Sequence, residues 1–154
     1  MPAASLAKTV AMSRIELSID IAAPTARVWR ALCDPDEVTR WDPGIVEALD
    51  APADYPQPGQ RVRWRMRSGP YDTLVDSPQE VLPERRLHSL LELGPIRMDE
   101  TYDLTPSDAG CRVELAVEWS APPPIASLAG RLLREGFETS LAGLKRWCEA
   151  DMSP

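Results

Sequence analysis

The sequence predicts an α+β domain in which one long C-terminal helix covers a curved antiparallel sheet of about seven strands. Residues 124–150 carry apolar side chains at steps of three and four, the period of an amphipathic helix. Several earlier segments alternate apolar and polar residues, the period of a half-buried strand. The helix would run about 40 Å, so only a sheet is broad enough to cover its apolar face.

The first strand and two short helices are predicted near the start of the chain. Apolar residues alternate with polar ones over residues 15–21, which favours a strand. Pro24 opens a short helix, because a missing N–H costs nothing in the first turn. Asp34 is the predicted N-cap of a second helix, and Glu37 three residues later predicts a capping box. The Asp-Pro-Gly run at 42–44 ends that helix.

Six later segments predict the rest of the sheet. They are residues 45–49, 61–67, 71–81, 87–93, 96–105 and 111–119. Short turns between them predict antiparallel pairing throughout. The connection at residues 51–60 is rich in proline, and we expect it to lie over the mouth of a cavity.

The predicted hairpin at Gly94 and Pro95 shows which polar side chains face the helix. Pairing about this tip places Ser89 opposite Glu100 on the inner face and His88 on the outer face. A buried Glu100 would have a raised pKa and could act as an acid or base, or bind a ligand hydroxyl. The alternative is a strand-end glutamate that reaches water or pairs with an arginine. On the outer face, the arginines of residues 61–67 predict a solvated stripe with acidic neighbours.

The inner face of the C-terminal helix has small residues at its centre. Gly136, Ser140 and Gly143 lie there, with Leu128 and Leu132 also predicted on the apolar side. A glycine inside a helix costs about 0.5–1 kcal/mol relative to alanine. Two compensations fit equally well: a backbone that approaches closely, or space left for a ligand.

Composition excludes several classes of protein. The 154 residues fit one domain, and the net charge of −7 argues against a nucleic-acid partner. Three cysteines and one histidine, without CxxC spacing, indicate neither a disulfide framework nor a metal site. Buried thiols in a reducing compartment, together with the lack of a signal peptide or membrane span, favour a cytoplasmic protein. Residues 1–12 are predicted as a flexible tail and residues 13–151 as the single domain.

Several short segments of the chain resemble those of a known protein superfamily. Residues 21–24 (Ile-Ala-Ala-Pro), 28–29 (Val-Trp), 32–36 (Leu-Cys-Asp-Pro-Asp) and 41–44 (Trp-Asp-Pro-Gly) resemble the opening of the START-like (SRPBCC) superfamily. Within it, they are similar to the polyketide cyclase/dehydrase and lipid-transport group. Residues 80–87 and 100–106 resemble later strands of that group, so the likeness spans about residues 13–150. It implies the helix-grip fold, with the sheet wrapped around the long helix.

The resemblance leaves function open, since the superfamily contains cyclases, aromatases, lipid carriers, hormone-binding proteins and co-chaperones. No GxSxG, Walker, GxGxxG or HExxH motif occurs, and we expect no cofactor. A co-chaperone would require a large apolar patch on the outer face of the sheet. The charged residues predicted for that face argue against this role. Two hypotheses remain: a carrier or sensor of a hydrophobic lipid, polyketide or aromatic molecule, and a cyclase/dehydrase.

In the enzyme hypothesis, Glu100 moves protons with help from Tyr102, Tyr71 or Ser89. In both hypotheses the ligand lies between the sheet and the helix, and the protein is a monomer or homodimer without an integral membrane segment. The predicted ligand-binding residues are Trp41, Trp64, Tyr71, Ser89, Met98, Tyr102, Trp119, Phe137 and Ser140. The aromatic members have core packing as the alternative role.

Overall fold

A computed structural model describes residues 12–152. These residues form seven strands and three helices, which confirms the α+β helix-grip prediction. The elements are β1 (Ser13–Ile21), α1 (Thr25–Cys33), α2 (Pro35–Trp41), β2 (Ile45–Ala48), β3 (Val62–Met66), β4 (Thr73–Leu82), β5 (Arg86–Leu93), β6 (Ile96–Ser107), β7 (Gly110–Ser120) and α3 (Pro123–Ala150). The predicted tail lies outside the described residues except for Met12, so the division into tail and domain stays a prediction.

The seven strands form one antiparallel sheet in the order β1-β7-β6-β5-β4-β3-β2. Strands β2 to β7 follow one another as neighbours, and β7 finally pairs with β1. Helices α1 and α2 therefore carry the chain from one edge of the sheet to the other. Apolar side chains alternate along the strands, so the inner face of the sheet forms most of the core.

The β5–β6 hairpin has the predicted register. Ser89 lies opposite Glu100, and His88 lies opposite Thr101. Gly94 has a φ of +58°, which a tight turn requires and glycine adopts at low cost. His88 is half-buried on the outer face, where its ring nitrogen lies 2.7 Å from an Asp99 carboxylate oxygen.

Helix α2 begins as predicted, but the prediction of a capping box is wrong. The Asp34 carboxylate accepts a 2.9 Å hydrogen bond from the Asp36 N–H. The Glu37 carboxylate turns away from the helix start, because Arg27 and Trp147 each bind it at 2.7 Å. Glu37 thus joins α1, α2 and α3 instead of capping its own helix.

The C-terminal half of α3 packs tightly on β1, α1 and α2. Leu144 and Cys148 are fully buried there. A Cβ atom on Gly143 would overlap the backbone carbonyl oxygen of Trp41, at the end of α2. Close backbone approach is therefore the reason for this glycine.

The N-terminal half of α3 departs from the prediction. Leu128 and Leu132 are 62% and 55% exposed, so their placement on the buried side is wrong. Gly136 is also exposed, and no atom lies within 4 Å of a Cβ built on it. The buried side of this half is formed by Ala129 and by the half-buried Leu133 and Phe137.

The outer face of the sheet is charged, as predicted. Arg63 binds Asp50 and Arg65 binds Glu47, each at 2.8 Å. Within residues 12–152, no helix combines the length and hydrophobicity needed to cross a membrane.

The contact at Gly143 predicts opposite effects for two glycine-to-alanine changes in the same helix. Gly143→Ala should lower the free energy of unfolding by about 1–3 kcal/mol, because the new methyl group meets a backbone oxygen that cannot rotate away. Gly136→Ala should raise it by about 0.5–1 kcal/mol, because the methyl group enters open space and alanine favours the helix. Urea denaturation measures both. Equal stability of the two variants would contradict the packing described here.

Candidate functional site

Glu100 is an acidic side chain on the inner face of β6. It lies in the run Met98, Glu100, Tyr102, whose neighbours along the strand are both buried. Its carboxyl group has no hydrogen-bond donor among residues 12–152, yet part of its surface remains accessible. Burial, with the nearby Asp76 and Asp42 carboxyls, raises the pKa of Glu100 to about 8. The predicted inward-facing glutamate is present. Among residues 12–152 no arginine pairs with it, but its accessible part reaches water, which the alternative hypothesis also allowed.

A second carboxyl group, that of Asp76, faces inward from β4. Asp76 is 6% exposed, and its Oδ2 atom accepts hydrogen bonds from the Tyr55 hydroxyl at 2.7 Å and the Trp64 indole at 3.2 Å. Burial raises its pKa, although Tyr55, Trp64 and the Ser89 hydroxyl act in the opposite direction. The buried Oδ1 atom has no hydrogen-bond partner within the described part of the chain.

Tyr55 comes from the proline-rich connection between β2 and β3. Its ring packs edge-on against Trp64, with the centroids 5.7 Å apart at 74°. Burial and the Asp76 carboxylate raise the pKa of Tyr55 well above its ordinary value, so its hydroxyl stays a donor. Through this side chain the connection at residues 51–60 is fastened to the inner face of the sheet.

Asp42 brings a third carboxyl group from the helix side. Its Oδ1 atom accepts hydrogen bonds from the Gly44 N–H at 2.9 Å and from the Ser140 hydroxyl of α3 at 3.0 Å. Burial raises the pKa of Asp42 despite these two bonds. Burial, together with the Glu100, Asp42 and Asp76 carboxyls, raises the pKa of Tyr102, so all three acids act on one interior side chain. We call Asp42, Asp76 and Glu100 the acidic cluster.

The structure brings some predicted site residues to the acidic cluster. The Trp64 indole donates a hydrogen bond to Asp76, and the Ser89 hydroxyl lowers the pKa of Asp76. The Ser140 hydroxyl donates a hydrogen bond to Asp42. Tyr102 follows Glu100 by two residues on the same face. These placements join sheet, loop and helix in one interior region.

The other predicted residues lie farther away or within the core. The Trp41 indole donates to the Ala31 carbonyl oxygen at 2.8 Å, inside the α1–α2 packing. Tyr71 packs its ring on Gly94 at the hairpin tip, and the part of β6 between this tip and Glu100 spans about 14 Å. Met98 and Trp119 are buried neighbours on β6 and β7, while Phe137 is half-buried on α3. Their contact with a ligand stays a prediction.

Sequence reasoning missed Tyr55, Asp76 and Asp42. Asp76 lies in a strand without clear alternation, because the β4–β5 pairing shifts register between Pro78 and Glu80. Asp42 looked like part of a helix stop, which it also is. The available signal for Tyr55 was an aromatic residue inside an otherwise proline-rich connection that was expected to lie over a cavity.

Comparison with known families identifies the group to which this arrangement belongs. Residues 12–149 match the family model described as polyketide cyclase/dehydrase and lipid transport. The chain belongs to this family. No curated protein matches the sequence.

Solved structures of bacterial and plant proteins share the fold of this chain. A Chromobacterium violaceum protein superposes with a TM-score of 0.73 at 24% identity, covering 89% of this chain and 98% of its own. A Rhizobium leguminosarum protein gives 0.75 at 20% identity, with coverages of 92% and 97%. A point mutant of Thalictrum flavum norcoclaurine synthase, in complex with a transition-state analogue, gives 0.72 at 13% identity, with coverages of 94% and 99%. At these identities the likeness establishes the fold.

The Tyr55–Asp76 contact predicts that a single hydroxyl group stabilises the β2–β3 connection. Tyr55→Phe should lower the free energy of unfolding by about 1–3 kcal/mol, because a buried carboxylate loses a donor. It should also speed proteolysis within residues 51–60. Tyr71→Phe is the matched control, since no described residue hydrogen-bonds the Tyr71 hydroxyl. Equal stability and equal cleavage of the two variants would contradict this role.

The raised pKa of Glu100 predicts the pH dependence of stability. An unfolded glutamate titrates near ~4.3, whereas burial and two neighbouring acids place the folded value at about 8. Between these values the folded protein holds the extra proton. The contribution of Glu100 to stability is therefore complete below the lower value and falls as pH rises toward 8, by up to about 1.4 kcal/mol per pH unit.

Glu100→Gln should flatten this fall and make the variant more stable than the parent above pH 8. Urea denaturation from pH 5 to pH 9 measures the effect. Some slope should remain, because the pKa values of Asp42 and Asp76 are raised as well. Glu114→Gln, on the exposed face of β7, should leave the slope of the parent unchanged. A parent whose stability does not decline over this range would contradict the burial of Glu100.

Proposed function

We propose that the protein binds a largely apolar small molecule between the sheet and α3, with a polar group of the ligand at Glu100. The observation that carries this proposal is the state of the Glu100 carboxyl group: inward-facing, partly accessible and without a donor among the described residues. Buried polar groups nearly always have partners, because an unpaired one costs about 1–3 kcal/mol. A bound ligand supplies the missing partner.

The surroundings of Glu100 support an apolar ligand. Leu91, Met98 and Val117 are buried on the same face of neighbouring strands, and Leu133 and Phe137 are half-buried on the facing helix. An apolar wall with a few polar groups is the usual composition of a small-molecule site. Family membership supports the same class of ligand.

The exposed edge of α3 supports a route of entry. Leu128 and Leu132 lie on the half of the helix that α1 and α2 do not cover, and Gly136 continues the same edge. In this proposal the N-terminal half of α3 moves to admit the ligand, while the tightly packed C-terminal half stays in place. The ligand is then carried or sensed without chemical change.

Native mass spectrometry of the protein purified from its own host tests the proposal. We expect a retained mass, which dissociates as an apolar small molecule, and we expect Glu114→Gln to retain it equally. Glu100→Gln keeps the shape of the side chain but lacks the carboxylate, so it should retain less. An empty spectrum, together with no binding of 1-octanol at its solubility limit, would overturn the proposal.

A second candidate function is a cyclase or dehydrase, which the proton affinity of Glu100 favours. A pKa of about 8 allows a carboxyl group to accept and return a proton near neutral pH. In a dehydration, the Glu100 carboxylate would remove a proton from the carbon next to a ligand carbonyl. A protonated neighbour, such as Asp76, would give its proton to the departing hydroxyl group, so that water leaves and a double bond forms.

Among the helpers predicted for this reaction, Ser89 and Tyr102 lie beside Glu100, whereas Tyr71 lies at the distant hairpin tip. Prolonged incubation of the retained ligand separates the two functions. A carrier returns the molecule unchanged. An enzyme returns it with the mass of one water lost, and Glu100→Gln then abolishes the conversion while still binding the molecule.

A further inference from the structure

The acidic cluster is unusual because its three carboxyl groups come from different parts of the fold. Asp76 belongs to β4, Glu100 to β6, and Asp42 to the turn after α2. Ser89 of β5 pairs with Glu100 and with Pro78, two residues along β4 from Asp76, so both acids lie on the inner face of the sheet. Asp42 reaches the interior from the helix side, where the Ser140 hydroxyl donates to it. Such groups repel one another when they are ionised, which lowers the stability of the folded protein.

No positive side chain offsets this charge. Within residues 12–152, none of the three carboxylates forms a salt bridge, and no arginine, lysine or histidine contributes to their pKa values. The titratable groups that act on Glu100 are the two acids, with the neutral tyrosines Tyr55 and Tyr102 beside them. Nor do the described residues include three acids, cysteines or histidines grouped closely enough to hold a metal ion.

Two atoms or groups in the acidic cluster lack a donor. The Oδ1 atom of Asp76 is unpartnered in a residue that is only 6% exposed, and the carboxyl group of Glu100 accepts no hydrogen bond from a described residue. The first of these is independent of the charge argument, because even a neutral acid in this place would need a partner. The buried Asp76 oxygen therefore points to a ligand that donates a hydrogen bond, and the accessible Glu100 carboxyl group offers that ligand a second acceptor.

We infer that the ligand carries a basic nitrogen, so that a protonated amine on an apolar or aromatic body is held by the acidic cluster. This inference rests on the proposed function, and it names the chemical class of the ligand. An ammonium group supplies several N–H donors and one positive charge, and it makes charge-assisted hydrogen bonds to carboxylates. Metal chelation is not needed, since an organic cation spans a wider site than a metal ion.

The same groups discriminate against other ligands. A carboxylate headgroup, as in a fatty acid, meets three acids and no cation, so its binding is disfavoured. A neutral alcohol donates one hydrogen bond but leaves the repulsion between the acids in place. The aromatic side chains Tyr55, Trp64 and Tyr102 adjoin the acidic cluster, and aromatic faces attract organic cations.

Three probes with one alkyl chain test the inference on the purified full-length chain: octylamine, 1-octanol and octanoate. Isothermal titration calorimetry at pH 7 should give octylamine about tenfold tighter binding than 1-octanol, and octanoate the weakest. Because Glu100 holds a proton at pH 7, titrations in two buffers of different ionisation enthalpy should show about one proton released per octylamine bound. Binding of 1-octanol should release none.

Substitutions test whether the acidic cluster causes the preference for octylamine. Glu100→Gln should reduce the preference for octylamine over 1-octanol to less than about threefold. Glu114→Gln makes the same side-chain change on the outer face and should preserve the preference. If Glu100→Gln does not fold by circular dichroism, Asp76→Asn replaces it with the same expectation.

Each outcome decides between the proposals. If 1-octanol binds and octylamine binds no tighter, the inference is wrong and the proposed function stands. If the amine preference survives in both interior variants, the ammonium lies elsewhere on this acidic protein, and the inference is likewise overturned. If none of the three probes binds, the proposed function fails together with the inference.

Discussion

The approach of Gly143 to the Trp41 carbonyl oxygen is the contact on which the position of α3 depends. It lets the helix backbone rest directly on the end of α2, which no residue with a side chain permits. Around it, the Lys145 ammonium binds the Asp20 carbonyl oxygen at 2.7 Å and the Trp147 indole binds Glu37 at 2.7 Å. With one half of α3 fixed in this way, the other half extends over the sheet with Leu128 and Leu132 exposed.

The same contact positions part of the acidic cluster. Ser140 lies one turn before Gly143, so its hydroxyl reaches the Asp42 carboxylate just beyond α2. Asp42 thereby faces the sheet, where Asp76 and Glu100 are set by strand register. An apolar interior of similar shape would be more stable, since each buried acid costs desolvation free energy and one oxygen of Asp76 remains unpaired. Local exceptions of this kind are expected where a protein keeps chemistry rather than stability.

The sequence was informative wherever one local rule determined the structure. Period-two alternation identified the strands, and one turn at Gly94 set the register that placed Glu100 and Ser89 on the same face. Asp76 was hidden, because the bulge near Pro78 breaks the alternation on which such an inference relies. The rotation of α3 was also misjudged for Leu128 and Leu132. Its orientation depends on where the short helix α2 lies, which periodicity within α3 alone cannot reveal.

Function in this family has to be read from the interior and not from the fold. The norcoclaurine synthase structure shares the fold at a TM-score of 0.72 while only 13% of residues are identical, so the scaffold tolerates almost complete replacement of its side chains. Within residues 12–152, this interior holds three acids with which no cation pairs. A carrier of neutral lipids gains nothing from such an arrangement, since apolar residues would hold the same molecule without the desolvation cost. In the proposed function, the acids engage the charge or the protons of the ligand, whether it is carried or converted.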